Sequence, residues 1–268
     1  MAKHLFLFVA GIFLSISSQA EFSEKIQAVV KTSSCAAYSW KNRGRAPAGY
    51  VKGVALSYAR SLCRAKNFSS SGVAKIMSLA ETGIDRKDAL THYKNVLSLL
   101  GLQTNRAGDE NLRNVYTLGL GLGMRESSGK YCEGWDTSAG THRVSNEAEA
   151  GLFQVSSNSM AASSELKKLY SEYQNSPSRC LLSIYSEGVK CKSQAELGVG
   201  DGVLFQKFSK SCPAFATEYA MTLLRILRSH FGPINRLEAE VKPICESLLV
   251  QVQQIVDSDP AAACTELR

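Results

Sequence analysis

Apolar residues recur at three- and four-residue intervals through most of the chain, and no stretch sustains strict alternation. From Tyr50 to Cys63, the residues Val51, Val54, Ala55, Tyr58, Ala59 and Leu62 fall on one helical face. Val73 to Leu79 repeats the pattern on a short scale. Asp85 to Leu100 repeats it at length, with Gly101 as a stop signal. Asp109 reads as the cap of the next helix, whose first apolar face is Leu112, Val115 and Tyr116. Leu118 to Met124 carries no charge, and Gly119, Gly121 and Gly123 alternate with leucine there. A glycine inside a helix costs about 1 kcal/mol relative to alanine. Three of them predict either a buried helix approached very closely by its neighbours or a break. Ser128 to Asn146 is polar and glycine-bearing, and reads as a long loop or small hairpin. Ser164 to Tyr173 is a short helix.

The clearest helix spans Ser211 to His230, with Ser211 at the cap, Pro213 in the first turn and Gly232-Pro233 ending it. Phe215, Tyr219, Leu223 and Leu227 form its buried side, and Glu218, Arg225 and Arg228 its wet side. Arg236 to Val256 is a final helix, kinked or started by Pro243. The expected fold class is mainly α, one disulfide-stapled helical domain with a small loop or β-hairpin region.

The first twenty residues stand apart. Lys3 and His4 precede an apolar run from Leu5 to Leu14, and small and polar residues follow to Ala20. That is the layout of a secretory signal with a cleavage site near Ala20. The run is well short of the ~20 residues that span a bilayer, so the mature chain is expected to be secreted or periplasmic, with no membrane anchor. Residues 21–48 read as an N-terminal extension and 49–268 as the folded domain. All eight cysteines lie after residue 20, and an even count in an exported chain points to disulfides. Eight cysteines allow 105 pairings. Spacing alone offers one of them, Cys180 with Cys191, as a staple across a single loop.

Charge and motifs remove several functions. The net charge is +7, but there is no run of five Lys/Arg and no basic stripe interleaved with aromatics, so nucleic acid is not an expected partner. Lys41, Arg43 and Arg45 are the densest basic cluster, and a solvated loop accounts for them. GxSxG, HExxH, GxGxxG and GK[ST] are absent. No close Cys/His spacing suits zinc, and a cysteine nucleophile conflicts with disulfide pairing. No cofactor is expected, and the chain is expected to act as a monomer.

Carboxylate chemistry remains, and Glu126 is placed for it. It ends the apolar glycine-bearing segment in Met124-Arg125-Glu126-Ser127-Ser128-Gly129. Apolar surroundings disfavour its anion, and so does the partial negative charge at a helix C-terminus. A second carboxylate would add to both. A general acid for glycosidic cleavage needs such a raised pKa. A surface Glu paired with Arg125 or Lys130 is the plain alternative.

Glu126-Ser127, then Gly134-Trp135-Asp136, then Gly151-Leu152-Phe153-Gln154-Val155 resembles goose-type lysozymes and lytic transglycosylases over residues 118–156. The resemblance implies a lysozyme-like helical domain over 49–268, with the loop or hairpin beside a cleft. It implies Glu126 as the general acid and Asp136 as the carboxylate that holds the attacking water. Ser127, Gly151, Phe153 and Gln154 would line a cleft for peptidoglycan glycan strands. Tyr185, in Ile184-Tyr185-Ser186-Glu187-Gly188, loosely matches a family tyrosine that sits beside the catalytic Glu, and is otherwise core. Trp135 is either core or a sugar-stacking ring. Phe153 stands where the family usually has Met. Ser156 stands where it often has Asp, which leaves Glu147 and Glu149 as rivals to Asp136.

The implied function is an exported muramidase cutting β-1,4 glycan. Inverting hydrolysis needs a second carboxylate on the other face of the sugar. Without one, the sugar's own 6-hydroxyl can attack, giving a lytic transglycosylase. A non-catalytic glycan-binding or inhibitor protein on the same fold, or a helical module for a protein partner, are the readings from other classes.

Overall fold

The helix Asp109–Ser127 runs through the middle of the protein, and every residue from Leu118 to Met124 is buried. The computed structural model describes residues 21–67, 71–135, 144–191 and 196–267. Helices Ala48–Asn67, Gly72–Ser78, Pro213–Ile226 and Pro243–Ser258 pack around the central helix. The three glycines make that crowding possible. A Cβ on Gly121 would lie 2.2 Å from Glu240 O, one on Gly119 2.3 Å from Met221 Sδ, and one on Gly123 2.4 Å from the Tyr50 hydroxyl oxygen. The close-packed alternative therefore holds, and the helix is unbroken. Tyr50 fixes the approach by donating its hydroxyl to Leu120 O at 2.7 Å.

Residues 21–48 contribute to the same body. Glu21–Thr32 is a helix packed on Ala48–Asn67 and Pro243–Ser258. The Glu266 carboxylate accepts from Phe22 N at 2.9 Å and Ser23 N at 2.8 Å, satisfying two backbone donors at that helix's start. Two-residue strands Ser39–Trp40 and Gly44–Arg45 pair antiparallel, with Trp40 opposite Gly44.

Four disulfides staple the fold: Cys35–Cys245, Cys63–Cys264, Cys132–Cys191 and Cys180–Cys212. The Cys180–Cys191 staple is not formed. Cys212 sits in the joint between two helices, which brings its Cα within 4.3 Å of that of Cys180, and Cys191 reaches Cys132 instead.

That joint also corrects the expected Ser211–His230 helix. Helix Asp201–Ser211 ends there and Pro213–Ile226 begins, because Pro213 has no N–H to continue the first and suits the opening turn of the second. Ser211 is thus a last residue, not a cap. Gly232-Pro233 opens a short helix to Asn235, and Pro243 starts the helix expected from Arg236. A further helix, Pro260–Glu266, follows.

The expected wet side of Glu218, Arg225 and Arg228 is buried. Other elements pair with each of them, although Glu218 Oε2 is left without a partner. Glu218 accepts from Ser61 Oγ at 3.1 Å and Arg64 Nε at 3.2 Å. Arg225 pairs with Asp88 at 2.9 Å and donates to Met77 O, Leu79 O and Ala80 O at 2.8–3.0 Å. Arg228 pairs with Asp85 at 2.7 Å. These pairings also shorten the helix expected over Asp85–Leu100. Asp88, held by Arg225, caps a helix that starts only at Ala89, and Tyr93 separates Ala89–His92 from Lys94–Leu99.

Alanine at Gly121 tests the close approach. It gains helix propensity of about 1 kcal/mol, yet its Cβ meets backbone that has no rotamer to escape into. The expected outcome is a net loss of roughly 1–3 kcal/mol in urea denaturation; a neutral or stabilised variant contradicts the packing account.

Candidate active site at the end of the central helix

Glu126 lies in the last turn of Asp109–Ser127, where the backbone leaves the helix through Ser128 in the left-handed region at φ 56°. The exposed carbonyls at this end are taken up locally. Ser128 N donates to Met124 O at 3.1 Å, Gly129 N to Gly123 O at 3.2 Å, and Arg43 Nη2 to Arg125 O at 2.6 Å. Arg43 thus does more than sit on a solvated loop.

A tight hairpin turn is held against this helix end. Ala150 and Val155 pair across it, with N···O distances of 3.1 and 3.2 Å. Gly151 turns at φ 78°, and a Cβ there would stand 2.9 Å from Ser209 O, so both its backbone and its space call for glycine. The Ser127 hydroxyl lies 2.8 Å from Leu152 O and 3.1 Å from Gly123 O, bridging helix and turn. Gly151 N donates to Glu133 O at 2.8 Å, and Gln154 Nε2 to Gly134 O at 3.2 Å. The turn therefore anchors the segment leading to Trp135, which is half-buried.

The structure brings Glu126, Ser127, Gly151, Phe153 and Gln154 into one region. Ser127 and Phe153 are at most 3% exposed, so they build the frame and offer a ligand almost no surface. Tyr185 is not a lining residue. It is fully buried, its hydroxyl bonded to Ser57 Oγ at 3.0 Å and Thr217 Oγ1 at 2.7 Å. Asp136 lies outside the described residues.

Of the two rival carboxylates, Glu147 is exposed and Glu149 is half-buried, just before Ala150. Glu149 Oε1 is 4.0 Å from His230 Nε2, which in turn lies 3.2 Å from Gln154 O. Glu149 is close enough to Glu126 for its negative charge to act there. Burial, and then that charge, push the Glu126 carboxyl up to about 8. Arg236, Arg43 and Arg125 pull the other way. Two of them also serve Glu238, which accepts from Arg125 at 3.0 Å and from Arg236 at 2.9 and 3.1 Å. Those two guanidiniums lower Glu238 itself to about 2. At neutral pH Glu126 thus keeps its proton.

Sequence reasoning missed Arg236, which acts on Glu126, and Glu238 and His230, which contact the groups around it. They lie more than a hundred residues downstream in an unremarkable polar stretch, and only the fold brings them back.

The displaced titration has a consequence for stability. Between about pH 4.5 and 8 the unfolded chain releases the Glu126 proton while the folded chain keeps it, so this group weakens the fold as pH rises through that window. Stability of Glu126→Gln relative to the parent should rise across that window and stay flat outside it. The total should be on the order of a few kcal/mol, read from denaturation curves at pH 4 and pH 9. No family model matches the chain, and neither a curated protein nor a solved structure matches it.

Proposed function

We propose that the protein is an exported glycosidase that cuts the β-1,4 glycan of bacterial peptidoglycan, with Glu126 as general acid. The observation that carries this reading is a carboxyl held protonated at neutral pH by burial and by a neighbouring carboxylate. A proton donor of that strength is what departure of a sugar oxygen requires. The ordered sequence motifs around Glu126 support the same reading. Export is supported by the signal-like segment at 1–20 and by four disulfides, which form in oxidising compartments. Among the described residues no helix is long and apolar enough to cross a membrane.

In this mechanism Glu126 protonates the bridging oxygen as the bond to the sugar carbon breaks. Glu149 takes the proton of a water attacking that carbon. The water's oxygen forms the new bond, and Glu126 ends as the carboxylate. Inversion by this route needs carboxyl groups roughly 6.5–9.5 Å apart.

Lysis of purified sacculi tests the assignment. Glu126→Gln should lower activity at least ~10²-fold with the fold intact, and near-parental lysis overturns it. Wild-type activity should fall as pH rises through about 8, because the acid must carry its proton. Binding of sacculi without any cleavage favours a non-catalytic glycan-binding protein.

Glu149→Gln separates the two carboxylates. Removing the neighbouring charge lowers the Glu126 pKa, so the alkaline limb should move to lower pH while most activity is lost. An unmoved limb with activity lost only in Asp136→Asn transfers the base role to Asp136. Mass spectrometry of the products should give ordinary reducing ends; anhydro-muramyl ends make the enzyme a transglycosylase with Glu126 still in place.

A further inference from the structure

Away from Glu126, a cavity of about 430 Å³ is lined by the Ala48–Asn67 and Gly72–Ser78 helices, by Ser164–Gln174 and by Leu267. None of the Glu126 neighbours lines it. Its volume lies within the ~300–1,000 Å³ typical of small-molecule sites. Three features define its chemistry.

The first is Tyr173, which lines the cavity and is fully buried, with a hydroxyl that has no hydrogen-bond partner. A buried donor left unpaired costs free energy that an acceptor recovers. Burial and the nearby Glu218 charge raise its pKa, so it stays a donor at any physiological pH.

The second is Arg60. Its Nε donates to Leu267 O at 2.8 Å and its Nη1 to Arg179 O. Both partners are carbonyls, which hold the guanidinium in place without neutralising it. The neighbouring cations differ. Arg64 grips Glu172 through two nitrogens at 2.8 and 3.0 Å, Arg179 shares that carboxylate at 2.5 Å, and Lys168 pairs with Glu165 at 2.6 Å. Among the described residues, then, one fixed positive charge on the cavity wall has no carboxylate of its own.

The third is the apolar remainder, contributed by Val73, Leu169 and Leu267. One unmatched cation beside two wall carboxylates suits a monoanion and repels a dianion. An unpaired donor calls for an acceptor, and apolar walls call for hydrocarbon.

We infer that this cavity binds a small organic carboxylate with an apolar tail, its head facing Tyr173 and Arg60. The site is independent of the glycan-cutting reading, and its test does not use lysis.

Isothermal titration at pH 7 with sodium octanoate, and with 1-octanol as a neutral probe of equal length, reads the site on the whole protein. Octanoate should bind once per chain, and octanol at least about tenfold more weakly. Tyr173→Phe removes a hydroxyl that bonds nothing in the protein, so circular dichroism should be unchanged while octanoate affinity falls about tenfold or more. Absence of saturable octanoate binding overturns the inference. Equal affinity for octanol overturns it too, as does undiminished binding to Tyr173→Phe.

Discussion

Three missing methyl groups determine much of this structure. Because Gly119, Gly121 and Gly123 carry no side chain, Met221, the Glu240 backbone and Tyr50 reach the central helix at distances no other residue would permit. The helix loses local propensity but gains packing on all sides, and tertiary burial outweighs propensity. The benefit is felt at its C-terminal end. Tyr50 and Phe153 both close on Gly123, so the same contact that buries the helix also seats the Gly151–Gln154 turn beside Glu126. Side-chain bulk at 123 would push turn and helix apart and admit water to the carboxyl.

The electrostatics of the site are a balance of opposed effects. Burial and Glu149 favour a neutral Glu126, and three arginines favour its anion. Glu238 pairs with two of those arginines, Arg125 and Arg236.

The sequence made some of this legible and concealed the rest, for identifiable reasons. Helices at 50–63 and 164–173 were readable because their apolar faces are complete. The alternation of glycine with leucine at 118–124 left close packing or a break open, and the approach of Met221, Glu240 and Tyr50 decided for packing. In the segment 211–230 the helix from Pro213 was readable, but its end at Ile226 was not, because Leu227 keeps the four-residue period past it. Glu218, Arg225 and Arg228 looked like a wet face because charge normally implies solvent; their partners, Ser61, Asp88 and Asp85, lie far away in sequence. The same distance hid Glu238 and His230 from the site. The raised pKa of Glu126 was legible because it ends an uncharged apolar segment. Tyr185 was not, because a tyrosine in a loose motif match looks the same whether it faces a cleft or, as here, Ser57 and Thr217.

The staples fix an order of events as well as a shape. Cys35 and Cys63 find their partners 210 and 201 residues later, and the first helix is capped by Glu266. A chain synthesised from its N-terminus cannot close any of these contacts until nearly all of it has emerged. Its early helices must wait, unsealed, for the last ones. For a polypeptide that threads through a narrow translocation channel, such waiting is an advantage. Until its last helices are made, Cys35 and Cys63 have no partner to pair with, so such a chain stays threadable and locks late.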